Sequence, residues 1–107
     1  MLHSSFSSTY HSLPNSIKNL VNRIVEELHP EEVILFGSRA RGDHRENSDF
    51  DIAVRTQSQV PEGWSRIQVA LAEEPITLYS VDLLDFSCLN DEYKKRIKFE
   101  GKVLYVR

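Results

Sequence analysis

Residues 32–36, Glu-Val-Ile-Leu-Phe, form a short, nearly continuous apolar run rich in branched side chains. A run of this kind reads as a buried strand. Gly37-Ser38 breaks it, and residues 39–48 are polar and basic, with Gly42 and Asn47-Ser48 as turn formers. Phe50, Ile52 and Val54 then alternate with Asp49, Asp51 and Ala53, a period of two that marks a second strand. Two strands joined by a polar loop, in a chain of 107 residues, imply a single domain around a small sheet.

The flanking segments complete the pattern. Ile17, Leu20, Val21, Ile24, Val25 and Leu28 recur at spacings of three and four, the apolar stripe of a helix that Pro30 ends near Leu28 or His29. Pro61 and Glu62 open a second helix with Trp64, Ile67, Ala70 and Leu71 on one face, and Pro75 marks its end. Residues 76–81 read as a third strand running into Asp82. Asn90 or Asp91 caps a last helix containing Tyr93 and Ile97, Gly101 terminates it, and residues 103–106 form a closing strand. The order α-β-loop-β-α-β-α-β, without repeats, predicts an α/β (α+β) domain with a small mixed β-sheet and helices packed on one face. The domain is expected over 14–107, with 1–13 as a flexible tail.

Charge and composition narrow the function. The net charge is −3 with an isoelectric point near 5.8, which argues against direct nucleic-acid binding. The longest basic cluster, Lys94-Lys95-Arg96, falls on a helix surface. No stretch approaches the ~18 apolar residues of a membrane span, and the Ser-rich start lacks a signal-peptide core. Cys88 is the single cysteine, so no internal disulfide forms and a reducing, cytoplasmic setting is expected.

The chemistry gathers around two short motifs. Asp49 and Asp51 stand two apart on a strand, so their carboxylates share a face. Neighbouring carboxylates repel unless a cation lies between them, and Mg2+ takes one or two carboxylates together with substrate phosphates. Asp82, on a neighbouring strand, offers a third carboxylate; Asp85 competes for that role but lies beyond it at the turn. Gly37-Ser38 follows a buried strand directly. Its glycine lets backbone approach a phosphate closely, and the N–H groups after it and the Ser38 hydroxyl suit phosphate oxygens. Arg39, Arg41 and Arg45 lie in the same segment, where they either neutralise a triphosphate or form a solvated basic loop. His44 reads as exposed, Cys88 as a small apolar filler, Trp64 and Tyr79 as core, and Tyr93 and Tyr105 as core or interface.

The spacing Gly37-Ser38, ten residues, Asp49-x-Asp51 resembles the signature of the DNA polymerase beta-like nucleotidyltransferase superfamily. At ordinary residue frequencies its four fixed positions recur by chance about once in a thousand chains of this length. The longer runs, Phe36-Gly37-Ser38-Arg39-Ala40-Arg41-Gly42 and Ser48-Asp49-Phe50-Asp51-Ile52-Ala53-Val54, are similar to the minimal nucleotidyltransferase (MNT) family. So are Val81-Asp82-Leu83-Leu84 and Glu100-Gly101-Lys102-Val103-Leu104-Tyr105, so the resemblance spans about residues 14–107.

The resemblance implies that Asp49 and Asp51 bind two Mg2+ ions and that Asp82 binds one of them and helps deprotonate an acceptor hydroxyl. It implies that Gly37 and Ser38 hold the β- and γ-phosphates of ATP, with Arg39 and Arg41 nearby. It further implies a hetero-oligomer with a helical HEPN toxin, in which the MNT protein is the antitoxin and adenylylates a tyrosine of its partner. Two other readings compete: an antitoxin that neutralises by binding alone, and a small-drug nucleotidyltransferase. The second needs an additional helical domain for which this chain has no room.

Overall fold

A computed structural model describes residues 5–57, 61–74 and 76–107. Its elements in chain order are β1 (Ser5–Phe6), α1 (Ser8–His11), α2 (Asn15–Leu28), β2 (Glu32–Phe36), α3 (Ser38–Arg41), β3 (Phe50–Arg55), α4 (Trp64–Glu73), β4 (Val81–Asp85), α5 (Asp91–Glu100) and β5 (Lys102–Val106), with a 3-10 turn at Phe86–Cys88. The strands form one mixed sheet in the order β1-β5-β2-β3-β4. Among the described strands, only β3 and β4 run parallel, because α4 carries the chain across between them; a parallel pair requires such a crossover.

The alternation along β2 and β3 divides the core in two. Val33, Leu35, Ile52 and Val54 face α2 and α4, packing with Ile17, Leu20, Ile24 and Ile67. Ile34, Phe36 and Ala53 face the other way and pack with Ile97 of α5. The expected packing of helices on one face thus holds for α2 and α4, while α5 covers the opposite face. The reason is that β2 is apolar at nearly every position, and a strand apolar on both sides needs cover on both. Full burial of each such side chain stabilises the fold by about 1.5–3 kcal/mol.

Two expectations are corrected. The strand expected over 76–81 begins at Val81 and runs to Asp85. Before it, the Thr77 hydroxyl accepts from the Tyr79 amide at 3.1 Å and pairs with the Ser16 hydroxyl at 2.8 Å, so local side-chain bonds compete with a ladder and Leu78 is fully exposed. Residues 5–13, expected as part of a loose tail, are docked: β1 pairs with β5, Tyr10 and Leu13 are buried, and the Tyr10 hydroxyl donates to Asn22 Oδ1 at 2.9 Å. Helix α5 is capped by Asn90, whose side chain accepts from the Tyr93 amide at 2.8 Å. Pro75, expected to end α4, lies outside the described residues. No helix among the described residues is long and apolar enough to cross a membrane.

Candidate active site

The end of β2 and the start of β3 meet under α5. Phe36, the last residue of β2, is the register partner of Asp51, so the chain turns into α3 directly beside that carboxylate. Gly37 makes the turn at φ 74°, ψ −158°, a conformation that only glycine adopts readily. It also lies against Asp51: a Cβ at Gly37 would overlap the Asp51 Oδ2 atom. Ser38 then opens α3. The loop motif and the acidic motif, separated by ten residues in the chain, are therefore in contact.

The parallel register sets Asp82 of β4 beside Asp51 of β3. Paired residues on adjacent strands share a face at about 4.8 Å between strands. The faces agree with this: Ile52 and its partner Leu83 belong to the α2–α4 side of the core, which leaves Asp51 and Asp82 on the α5 side. Asp49 precedes β3 and is exposed, as is Asp82; Asp51 is half-buried. Burial pushes the Asp51 carboxyl above the ordinary aspartate range, the charges of Asp82 and Asp49 push it further, and Arg41 pulls it back. Asp85 is buried and caps the 3-10 turn, accepting from the Ser87 amide at 3.1 Å and from Cys88 Sγ at 3.4 Å. Cys88 is exposed, not the apolar filler expected.

A cleft of roughly 330 Å³ is lined by Gly37, Ser38, Arg41 and Asp51 on one side and by Tyr93, Arg96, Ile97 and Glu100 of α5 on the other. Arg41 donates to Asp43 at 3.1 Å and to Glu100 at 3.3 Å, which holds it at the rim. Arg39 is not in the cleft. Its guanidinium turns to the carbonyls of Glu46 and Ser48, so the phosphate contact expected of it has no geometric support. Arg45 and His44 are exposed. Tyr93, expected as core or interface, is 40% exposed and meets Phe36 edge-on at 6.3 Å. Sequence reasoning missed Arg96 and Glu100 as cleft residues. Their signal is the spacing Tyr93, Arg96, Ile97, Glu100, which marks one helix face.

Among the described residues, no three His, Cys, Asp or Glu side chains are gathered tightly enough to hold a metal ion by themselves. The donor set still suits a hard cation: oxygen ligands only, with a carboxylate whose ionised form is disfavoured by burial and by the like charges of Asp82, Asp49 and Glu100. Mg2+ ordinarily completes its shell with water and substrate phosphates, so a closed protein cage is not needed.

Solved structures share the fold. A toxin–antitoxin structure determined with AMP-PNP is 26% identical, with a TM-score of 0.62, covering 87% of this chain and 73% of that one. A variant of the toxin–antitoxin MntA-HpeT is also 26% identical, with a TM-score of 0.65, covering 90% and 75%. A provisionally assigned minimal nucleotidyltransferase shares the fold at 22% identity and a TM-score of 0.65, covering 87% and 93%. No protein of curated function matches. The family model for polymerase beta nucleotidyltransferases matches residues 17–107, which include both motifs, all the cleft residues and four of the five described strands, and the chain therefore belongs to that family.

Proposed function

We propose that this protein is a Mg2+-dependent nucleotidyltransferase that moves AMP from ATP to a hydroxyl, expected to be a tyrosine, of a helical HEPN-type toxin, and so acts as the antitoxin of a cytoplasmic pair. The observation that carries the reading is the contact of Gly37 with Asp51 at the mouth of one cleft. It joins a phosphate-binding turn to a set of carboxylates, which is what a nucleoside triphosphate with its cation requires. The toxin–antitoxin likenesses, one of them with a bound ATP analogue, support the choice of partner and nucleotide.

Asp49 and Asp51 would hold two Mg2+ ions, and Asp82 one of them; the ions would neutralise the triphosphate and polarise the α-phosphate. Gly37 and Ser38 bind the β- and γ-phosphates through backbone N–H groups and the serine hydroxyl. Arg41 adds positive charge at the rim. Asp82 takes the proton of the acceptor hydroxyl. The freed oxygen bonds to the α-phosphorus, the bond from that phosphorus to the β-phosphate oxygen breaks, and pyrophosphate leaves.

The test is to incubate the protein with Mg2+, α-labelled ATP and a candidate HEPN-type helical partner, then weigh that partner by intact mass spectrometry. The expected result is a gain of one or more AMP units, lost in Asp49→Ala and in Asp51→Ala. An unchanged mass together with a tight complex would overturn the enzymatic reading in favour of neutralisation by binding alone.

A further inference from the structure

Asp49 is the least supported of the three carboxylates. It is exposed and precedes β3, so no strand ladder holds it. Both of its neighbours, however, are held by one side chain. Arg39 donates from Nε and Nη2 to the Ser48 carbonyl at 3.3 and 3.1 Å, and from Nη2 to the Glu46 carbonyl at 2.9 Å. The guanidinium carbon lies 4.3 Å from the centre of the Phe50 ring and 5.6 Å from that of Tyr79. Phe50 and Tyr79 meet edge-on at 5.1 Å, and the Phe50 amide donates to the Ser80 carbonyl at 2.9 Å. The loop ahead of Ser48 is closed by its own turn, with Arg45 N donating to Ser48 Oγ at 2.8 Å and Ser48 N to Arg45 O at 3.1 Å.

From this geometry we infer that Arg39 is a positioning residue that sets the Asp49 carboxylate for the metal site by clamping Ser48 before it and Phe50 after it. The inference rests on the reading of Asp49 as a metal-holding residue. Arginine suits the task because its planar fork meets two carbonyls while its face stacks on a ring, which the compact ammonium of lysine does not reproduce. Arg39 also follows Ser38 on α3, so the clamp ties the phosphate turn to Asp49. Its contact with Tyr79 reaches the segment that leads into Asp82. Supports of this kind behind a metal ligand contribute about 10–100-fold to metal affinity or activity when removed.

The test uses Arg39→Met and Arg39→Lys in the full chain, with three readouts. These are amide hydrogen exchange across residues 46–50 without metal, Mn2+ binding followed by electron paramagnetic resonance, and kcat and KM for ATP at saturating Mn2+. The clamp predicts faster exchange in that segment in both variants, Mn2+ binding weaker by about 10–100-fold, and a fall in kcat with KM for ATP close to wild type. Lysine should not rescue. A large rise in KM for ATP with exchange and Mn2+ binding unchanged would overturn the inference and make Arg39 a phosphate ligand. Unchanged exchange would overturn it whatever the activity. Wild-type protein that neither binds Mn2+ nor transfers AMP would instead sink the metal reading of Asp49; faster exchange in the variants would then leave Arg39 a brace of the fold alone, with the assigned purpose refuted.

Discussion

Replacing Gly37 with alanine should damage this protein twice, and the two parts can be separated. The backbone at φ 74°, ψ −158° costs a side-chain-bearing residue about 1–3 kcal/mol. The added Cβ also overlaps Asp51 Oδ2 and lies 3.1 Å from Asp51 Cγ. Asp51 sits on a strand paired on both sides, so its backbone is fixed and its carboxylate must rotate off its rotamer, at about 0.5–1.5 kcal/mol. The sum is about 1.5–4.5 kcal/mol, which for a domain of this size lowers Tm by about 7–20 °C. Gly42 supplies the control. It also has positive φ, at 86°, but open space surrounds its missing Cβ, so Gly42→Ala should cost only the backbone part, about 1–2 kcal/mol. Thermal melts by far-UV circular dichroism would give both values. In an Asp51→Ala background the excess cost of Gly37→Ala should vanish, because contacting residues are energetically coupled. Equal costs for the two glycines, or an unchanged Gly37→Ala cost in that background, would refute the claimed contact between turn and carboxylate.

Asp51→Asn should stabilise the metal-free protein at neutral pH, because burial, Asp82 and Asp49 all disfavour the ionised carboxylate. The sign follows from linkage. A carboxyl with a raised folded pKa binds more protons in the fold, so wild-type stability falls as pH rises from the ordinary aspartate range through the raised value. The advantage of the variant should therefore grow through that window and close below it. Mg2+ should raise the Tm of wild type and not of the variant; scanning fluorimetry from pH 4 to 8 checks both, and a variant less stable at every pH would contradict the account. Ile97→Ala, which empties a fully buried position in the cleft floor, should lower stability by about 2–5 kcal/mol. That loss would appear in urea titrations as an earlier midpoint at unchanged slope, and a loss under about 1 kcal/mol would contradict the packing of α5 on the sheet.

Much of this site could be read before folding because it is local. Ile17 through Leu28 announce their helix by period, and the bounds of β2 at 32–36 follow from an apolar run stopped by glycine. Asp49 and Asp51 lie two apart, the spacing of a shared strand face, but β3 begins at Phe50, so the strand itself positions Asp51 and not Asp49. Other features depended on partners distant in the chain. Residues 76–80 have a strand's composition, yet Thr77 bonds to Tyr79 and Ser16 and the ladder starts at Val81. Tyr10 is buried only because Asn22 and the β5 edge receive its segment.

The arginines mark the boundary most clearly. Arg39 and Arg41 are two residues apart in the same basic run, and composition treats them alike. In the fold, Arg41 reaches the cleft and Glu100, while Arg39 turns to the carbonyls beside Asp49. Local periodicity and turn chemistry thus determined which elements form and which residue types stand at their ends, since those preferences act over a few bonds. Which carboxylate lies beside which, which arginine faces the cleft, and the arrival of Arg96 and Glu100 from α5 were decided by strand register and helix packing, which depend on contacts that exist only once the chain is folded.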